Sequence, residues 1–258
     1  MDKITYGTYK LTDDTCYNLV LEAIKNGYRS IDTAELYKNQ HIVGRAINDL
    51  IAQKIIKRKD IFITSKIHNR DQKKNNIGNA VDKILKDMNL EYIDLILLHS
   101  PVKNKYVDSY KELIKSKNNN HIKYIGVSNF NIEQLQEIIK ETGEIPYLNQ
   151  VEISVFNQRF DVINFCKKHN IICQAHSCLT NNTKIQDNKI ISIQKELHMT
   201  FHEICMKWCL DNNIYIVVGA QNKDHVIENL NYVVNYKNNM INDFADLDEK
   251  YCIYKNFK

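Results

Sequence analysis

The sequence predicts a single (β/α)8 barrel, in which eight parallel strands are each followed by a helix. Three observations favour this fold class. The chain has 258 residues, which is the usual length of one such barrel and long for one doubly wound sheet. Apolar segments alternate with helical patterns along the whole chain. Several of these segments are continuous apolar runs, as expected for parallel strands covered on both faces. The predicted domain spans residues 1–258.

The strand candidates are short segments rich in apolar residues. Because eight of them are separated by helical segments, a closed barrel is favoured over an open sheet. In chain order they cover residues 4–8, 28–32, 61–66, 93–98, 124–127, 147–151, 171–176 and 214–218.

Helical periodicity fills the intervals between these strands. Apolar residues share one helix face at positions 19, 20, 23 and 24, and again at positions 42, 46, 47, 50 and 51. Asn131 followed by Gln134 is typical of a capped helix start, and the apolar residues Leu135, Ile138 and Ile139 follow it. No linker or second domain is expected.

Composition narrows the class of protein. With 43% hydrophobic and 26% charged residues, the chain can bury a substantial core. Its net charge of +4 is spread along the predicted helices, which argues against a nucleic-acid partner. Seven cysteines without a C-x-x-C motif favour a reducing compartment. Neither a signal peptide nor a membrane-spanning run is present, so we expect a cytoplasmic monomer without a membrane partner.

Four reactive side chains fall at, or just after, the ends of consecutive predicted strands: Asp32, Tyr37, Lys66 and His99. In a parallel barrel these ends open onto the face that carries the chemistry. Tyrosine is a weak acid near neutrality, and a nearby lysine ammonium favours loss of its proton. An aspartate would hold that ammonium, and a histidine would orient a carbonyl. These residue types therefore indicate proton donation to a carbonyl oxygen.

Each of these residues alone also fits a structural role. Asp32 is compatible with a helix cap, and Lys66 with a salt bridge at the barrel rim. His99 is compatible with a core histidine, and Tyr37 with an aromatic residue in a loop. Their joint occurrence on one barrel face favours the catalytic interpretation.

Several motifs resemble the aldo-keto reductases in their order and spacing. They are residues 27–34 (GYRSIDTA), 125–130 (IGVSNF) and 149–152 (NQVE), followed by Gly219, Ala220, Glu228 and Asn229. The resemblance runs along nearly the whole chain. It implies a (β/α)8 barrel that reduces carbonyl compounds with NADPH, or less often NADH, without a Rossmann domain. In agreement, no G-x-G-x-x-G follows any predicted strand.

The resemblance also implies roles for individual residues. Tyr37 is implied to be the general acid of a tetrad completed by Asp32, Lys66 and His99. His176 stands where the family usually stacks a tyrosine on the nicotinamide. The other implied coenzyme residues are Ser128, Asn129 and Gln150 at the carboxamide, Ser177 and Leu179 near the pyrophosphate, Gly219 in the cofactor loop, and Glu228 and Asn229 at the adenine.

Coenzyme choice is the point at which the chain departs from the family pattern. Gly219 and His225 align where many members carry Lys and Arg around the adenosine 2'-phosphate. Such cations pair with the phosphate and favour NADPH over NADH. NADPH is expected on family grounds, and NADH is the alternative. Asn222, Lys223 and the N-terminus of the last barrel helix are further candidates for holding a phosphate.

The carbonyl pocket also departs from the family. Its predicted wall residues are Tyr9, His68 and Ser100, where the family often has Trp or another large aromatic. The chain ends soon after the segment 241–254, so a long C-terminal specificity loop is not expected. A shallow, open and polar pocket for small or polar aldehydes is therefore the expectation.

Other functions stay open from the sequence. A nicotinamide-binding regulatory protein of low turnover would account for the altered residues, although a pure binder has no need of the tetrad. A barrel enzyme for phosphorylated sugars would want a Gly-rich phosphate site, and the stretch after His176 has no glycine. His198 and His202 lie four apart on a predicted helix, but without a third ligand no metal site is expected.

Overall fold

The computed structural model describes residues 1–237 and 244–254. It contains a closed barrel of eight parallel strands in sequential order, with the eighth paired to the first. This is the predicted (β/α)8 fold. The strands are β1 (Ile4–Gly7), β2 (Ser30–Asp32), β3 (Phe62–Ile67), β4 (Ile93–Leu98), β5 (Ile122–Ser128), β6 (Leu148–Glu152), β7 (Ile172–His176) and β8 (Tyr215–Val218).

All eight predicted strands are confirmed, and their ends shift by no more than two residues. The parallel register aligns Gly7 with Asp32 and Glu152 with His176. The C-terminal strand ends therefore meet at one face of the barrel, as the sequence predicts.

Ten α-helices lie within the described residues, and eight of them cover the barrel. Helices α3 and α8 are additions that precede the covering helices α4 and α9. None of the described helices is long and apolar enough to cross a bilayer. The helices are α1 (Asp13–Asn26), α2 (Gln40–Ala52), α3 (Asn69–Lys73), α4 (Ile77–Met88), α5 (Tyr106–Ser116), α6 (Ile132–Thr142), α7 (Phe160–Lys168), α8 (Asn188–Leu197), α9 (Phe201–Asp211) and α10 (Lys223–Val234).

Local sequence signals set several helix ends. At α6, Asn131 Oδ1 accepts the Gln134 N–H at 2.9 Å, and Gln134 Oε1 accepts the Asn131 N–H at 3.0 Å. This reciprocal cap is the one that the sequence predicts. Helix α1 ends at Gly27, whose φ of 118° favours a residue without a Cβ atom.

The apolar core lies between the strands and the covering helices. Along β4, Ile96 and Leu98 pack into this layer, while Leu95 and Leu97 join Leu148 in a separate apolar cluster. Successive side chains of a strand point to opposite faces, so both faces of β4 are buried. This explains why its sequence is a continuous apolar run.

Polar side chains form a buried network within the barrel. Gln174 Nε2 donates to Thr5 Oγ1 at 3.2 Å, and Thr5 Oγ1 donates to Ser30 Oγ at 2.9 Å. Gln174 Oε1 accepts a hydrogen bond from Gln150 Nε2 at 2.8 Å. Satisfied polar networks of this kind make a core rigid, and this one lies directly below the residues of the site.

Residues 244–254 pack against the loop that follows β6. The backbone N–H groups of Glu249 and Tyr251 both donate to the Phe156 carbonyl, at 3.1 and 3.0 Å. Asp248 Oδ1 accepts the backbone N–H of Gln158 at 3.1 Å. Residues 241–243, the start of the C-terminal segment considered in the sequence, lie outside the described residues.

Candidate active site

Strands β2, β3 and β4 bring the four predicted tetrad residues into one cluster. Lys66 Nζ donates to Asp32 Oδ1 at 2.5 Å and to the Tyr37 hydroxyl oxygen at 3.2 Å. The His99 ring lies edge-on to the Tyr37 ring, with 5.8 Å between the ring centroids. The four side chains are therefore neighbours, and their catalytic roles stay a prediction.

Tyr37 reaches the cluster from a 3-10 turn that follows β2. Asn39 ties this turn to neighbouring loops by buried hydrogen bonds. Its Nδ2 donates to the Thr8 carbonyl at 2.7 Å, and its Oδ1 accepts from Thr33 Oγ1 at 3.0 Å. The position of the phenol is thus set by side-chain hydrogen bonds as well as by the strand that precedes it.

Burial dominates the electrostatics of Tyr37. Desolvation raises the pKa of Tyr37 well above its ordinary value, and the negative charge of Asp32 adds to the increase. Burial therefore outweighs the acidifying effect that the sequence analysis assigns to Lys66, because it disfavours the phenolate. Tyr37 is a protonated phenol at neutral pH. Since its oxygen accepts from Lys66, its own hydrogen remains available for donation.

Lys66 and Asp32 form a buried ion pair beneath Tyr37, with side chains that are 1% and 2% exposed. Burial lowers the pKa of Lys66, and the adjacent Asp32 carboxylate opposes that decrease. Lys66 Nζ also donates to the Thr33 carbonyl at 3.2 Å. On the other side, Asp32 Oδ2 accepts from Gln150 Nε2 at 2.8 Å. Asp32 therefore holds the ammonium in place and is itself held by Gln150.

His99 contributes an uncharged ring. Burial, followed by the positive charge of Lys66, lowers the pKa of His99 to about 3. Its Nδ1 is buried and has no hydrogen-bond partner among the described residues. Since the ring lines the cavity, Nε2 is the nitrogen left to contact a ligand there.

The three predicted carboxamide residues form one hydrogen-bonded group. Asn129 Nδ2 donates to the His99 carbonyl at 3.0 Å and to Ser128 Oγ at 3.1 Å. Ser128 Oγ in turn donates to the Gln150 carbonyl at 2.8 Å. Both hydrogens of Gln150 Nε2 go to Asp32 and Gln174, so Gln150 Oε1 is left as an acceptor at the cavity.

The His176 ring is held at both of its nitrogen atoms. Nε2 lies 3.0 Å from Asn129 Oδ1, and Nδ1 lies 3.1 Å from Ser177 Oγ. The amide oxygen can only accept, so Nε2 carries the proton and Nδ1 accepts from the serine. Burial lowers the pKa of His176 to about 3, which agrees with a neutral ring. His176 is therefore a rigid, uncharged part of the wall.

One cavity of about 1250 Å³ joins these residues to the far end of the predicted coenzyme site. Its lining includes Asp32, Tyr37 and His99, together with all nine residues that the sequence assigns to coenzyme binding. Typical small-molecule pockets measure about 300–1,000 Å³, so this cavity is large enough for a dinucleotide beside a small substrate. The free acceptor on Gln150 fits the carboxamide of a nicotinamide. The residues present therefore suit such a coenzyme.

Comparison with known proteins decides the family. The aldo/keto reductase family model matches residues 3–251. The chain belongs to this family. A glyoxal reductase of Bacillus subtilis is 34% identical over 210 residues, covering 81% of this chain and 75% of that protein.

Solved structures agree with this assignment. An aldo-keto reductase from a Medee basin deep-sea metagenome library is 28% identical, with a TM-score of 0.91 over 100% of this chain and 95% of that one. A Bombyx mori aldo-keto reductase in complex with NADP is 21% identical, with a TM-score of 0.85 over 99% of this chain and 92% of that one. The second likeness supports the fold alone.

At the end of the cavity that is predicted to hold the adenosine, the structure of this aldo/keto reductase differs from one expectation drawn from the sequence. Gly219, Asn222 and His225 line the cavity, but Lys223 does not. Lys223 Nζ instead pairs with Glu22 Oε2 at 2.9 Å on the outer surface. Asn222 Oδ1 accepts the His225 N–H as the cap of α10. Lys223 therefore points away from the site.

Two predicted wall residues of this aldo/keto reductase lie outside the cavity lining. His68 caps α3, with Nδ1 accepting the Arg70 N–H at 2.9 Å. Ser100 is buried and bonds to Asn69. Only Tyr9 of the three predicted residues lines the cavity, because helix α3 follows β3 directly and engages the other two.

The C-terminal residues close part of the site that the sequence predicts to be open. Ile253 and Tyr254 line the cavity, and the Tyr254 ring lies 5.9 Å from the His176 ring. Sequence reasoning missed both residues, because no local pattern after α10 shows that the chain returns to the barrel mouth. The expected open pocket is therefore bounded on this side.

The predicted histidine pair is separated by a helix boundary. His198 ends α8 with a φ of 52°, and His202 lies in the first turn of α9. His202 Nε2 instead bonds to Asn182 Oδ1 at 2.9 Å. In the part of the chain that the structure describes, no group of three potential metal-binding side chains occurs.

Proposed function

We propose that this chain is an NAD(P)H-dependent carbonyl reductase for small or polar aldehydes, with Tyr37 as the general acid. One observation carries the proposal. A protonated phenol faces the cavity 3.2 Å from a buried lysine–aspartate pair and beside an uncharged histidine. This is an arrangement for giving a proton to an oxygen on which negative charge develops.

The coenzyme, when bound, supplies the hydride that adds to the carbonyl carbon. Tyr37 gives its proton to the carbonyl oxygen as negative charge builds there. The Lys66 ammonium then stabilises the phenolate that remains, and Asp32 keeps that ammonium charged and in position. His99 donates a hydrogen bond from a neutral ring and orients the carbonyl oxygen between itself and Tyr37. Burial of Asp32 and Lys66 limits competing proton transfer from water to this pair.

The coenzyme is proposed to bind along the nine assigned cavity residues, with its carboxamide at Gln150. Family membership supports a nicotinamide dinucleotide. The lining residues at the predicted adenosine end, which are Gly219, Asn222, His225, Glu228 and Asn229, include no Lys or Arg. Lys10 is the one Lys in the described lining, and its Nζ lies 5.6 Å from the centre of the Tyr9 ring, which is beside Tyr37. A 2'-phosphate thus has no strong cationic partner there, so we propose that NADH is accepted beside NADPH.

The substrate is proposed to be a small, polar aldehyde. The cavity lining near Tyr37 includes Tyr9, Asn129, His176 and Tyr254, whose side chains carry polar groups and suit a polar molecule. The name of the glyoxal reductase relative points to the same chemical class.

A nicotinamide-binding protein of low turnover is the second candidate. The observation that favours it is His176, which stands where the family usually has a tyrosine stacked on the nicotinamide. Hydrogen bonds at both ring nitrogen atoms hold this histidine in place. Coenzyme binding without any turnover would establish this alternative.

The first experiment follows the loss of reduced-nicotinamide absorbance with glyoxal and with p-nitrobenzaldehyde, using NADPH and NADH in parallel. The variant Tyr37→Phe should lower kcat by about 100- to 10,000-fold, because the proton donor is removed. Its coenzyme affinity should stay within about twofold of wild type, since the ring is kept. Tyr17→Phe is the matched control, because it removes a phenol that bonds to Asp49 on the helix surface. Full activity in Tyr37→Phe would refute the assignment of the acid.

A further inference from the structure

A buried carboxylate at the end of β6 holds the last residues that the structure describes. Glu152 is 8% exposed, and its Oε1 accepts the backbone N–H of Ile253 at 2.5 Å. Its Oε2 accepts the backbone N–H of Tyr254 at 3.0 Å and the thiol of Cys252 at 3.2 Å. These donors lie 100 to 102 positions later in the sequence. We refer to residues 252–254 as the C-terminal strap.

The hydrogen bonds between Glu152 and the C-terminal strap are strong because their acceptor is a carboxylate. Across residues 1–237 and 244–254, no Lys, Arg or His side chain forms an ion pair with Glu152. Among these residues, the Glu152 carboxylate is held by the three donors of the strap. Hydrogen bonds to a carboxylate are stronger than those between neutral groups. Removing the carboxylate would leave two backbone N–H groups without their acceptor, which is costly where they are shielded from water.

The strap places Tyr254 next to the reactive phenol. The Tyr254 ring lies 5.9 Å from the His176 ring at an angle of 68°. Its hydroxyl interacts with the side chains of Ser177 and Tyr9, and its presence contributes to the raised pKa of Tyr37. Tyr254 is therefore close enough to meet a substrate whose oxygen contacts Tyr37.

Tyr9 forms a second aromatic wall at the same place. Its ring centroid lies 5.0 Å from that of Tyr37, and Tyr9 comes from the loop after β1. Tyr254 comes from the other end of the described chain. The opening above Tyr37 is thus bounded by two tyrosines, and only Tyr254 depends on the strap.

We propose that Glu152 is a positioning residue that fixes the C-terminal strap, so that Tyr254 forms one wall of the carbonyl pocket and limits substrate size. The inference rests on the proposed function, since it assigns a role within the carbonyl pocket of that reaction. It also replaces the expectation of an open pocket, because the hydrogen bonds between Glu152 and the C-terminal strap supply a wall that the sequence does not reveal.

The rest of the C-terminal segment is attached independently of Glu152. The N–H groups of Glu249 and Tyr251 donate to the Phe156 carbonyl, and Tyr251 Oη donates to Thr183 Oγ1 at 3.0 Å. Neither of these attachments involves the Glu152 side chain, so we expect both to persist when Glu152 is replaced. A change at Glu152 should therefore release the strap alone and leave the barrel folded.

The test uses Glu152→Ala, Glu152→Gln and Tyr254→Ala in the full chain. Glu152→Ala removes both acceptors, whereas Glu152→Gln keeps the side-chain size and one acceptor, so it preserves the test if the alanine variant folds poorly. Glu249→Gln is the matched control, because it makes the same charge change in the same segment, where Glu249 pairs with Lys184. Amide hydrogen exchange followed by NMR reports on the strap, and steady-state kinetics with glyoxal and with a bulky aromatic aldehyde report on the pocket.

In Glu152→Ala, exchange at the amides of residues 253 and 254 should accelerate by about tenfold or more. KM for glyoxal should rise by about five- to tenfold, with kcat and coenzyme affinity within about twofold of wild type. The preference for glyoxal over the bulky aldehyde should fall. Tyr254→Ala should give the same kinetics, and the double variant should add nothing further, because both changes remove one wall.

Unchanged exchange at residues 253 and 254 in Glu152→Ala would overturn the proposal. So would a size preference equal to that of Glu249→Gln, or a loss of coenzyme affinity as large as the change in KM. If wild type reduces no aldehyde with either coenzyme, the proposed function fails and the pocket role assigned here fails with it. The exchange measurement then still decides, separately, whether Glu152 anchors the strap.

Discussion

Replacing Asp32 by asparagine removes one charge from the buried pair beneath Tyr37 and keeps its shape. Lys66 Nζ then keeps only uncharged acceptors: the amide oxygen of the new asparagine, and the Thr33 carbonyl and Tyr37 hydroxyl, each at 3.2 Å. Breaking a buried ion pair by removing one partner costs about 3–5 kcal/mol. Lys66 can instead lose its proton, and from an ordinary pKa of 10.5 this costs about 5 kcal/mol at pH 7. Both estimates predict a similar loss of stability.

The loss in Asp32→Asn should shrink as the pH rises. Burial lowers the pKa of Lys66, and the variant lacks the carboxylate that opposes this decrease. Where Lys66 loses its proton in the folded variant, the unfolded chain binds one more proton than the folded chain. Stability relative to wild type should therefore increase with pH below the ordinary Lys66 pKa of 10.5, by at most about 1.4 kcal/mol per pH unit.

Urea unfolding of wild type, Asp32→Asn, Lys66→Met and the double variant measures these effects. We expect Asp32→Asn to lose about 3–5 kcal/mol of unfolding free energy at pH 7. The double variant should be more stable than Asp32→Asn, because no unpaired charge remains buried. A loss below about 1 kcal/mol in Asp32→Asn, or a double variant whose loss equals the sum of the single losses, would show that the two charges do not depend on each other.

Two further predictions concern the polar wall of the cavity. The His176 pKa is lowered to about 3, so the unfolded chain binds more protons than the folded chain between about pH 6.5 and about pH 3. Stability therefore decreases as the pH is lowered through that window. His176→Asn should reduce this slope by about 1.4 kcal/mol per pH unit in urea unfolding, and an unchanged slope would contradict a neutral buried ring. Gln174→Leu removes an acceptor of Gln150 and should weaken coenzyme binding by about tenfold in a fluorescence titration. Wild-type affinity in that variant would mean that Gln174 does not orient Gln150.

Local sequence was sufficient to predict the strands and the positions at their ends. Both faces of β4 are buried, so its apolar run identifies a covered parallel strand without any knowledge of its partners. Once the strands are located, the fold brings Asp32, Lys66 and His99 to one face, because all C-terminal strand ends share it. For this reason, the fold class and the cluster around Tyr37 could be predicted from the sequence.

The directions of the side chains near the barrel mouth could not be predicted from the sequence in the same way. His68 and Ser100 follow strand ends as His99 does, yet hydrogen bonds at α3 engage them outside the cavity lining. Lys223 begins α10 and turns outward to Glu22. Each outcome depends on a neighbour that the spacing along the chain does not identify.

The sequence by itself determined the barrel, the family motifs and the chemical types gathered at the strand ends. These depend on hydrophobic periodicity and on short motifs, which act over a few neighbouring residues. The tertiary structure alone decided that Tyr37 is a weaker acid than a neighbouring lysine suggests, and that Tyr254 borders the pocket. Desolvation depends on all the atoms packed around a group, and Glu152 meets its strap 100 to 102 residues later in the chain. Both the burial of Tyr37 and the contact between Glu152 and the strap arise only when the chain folds.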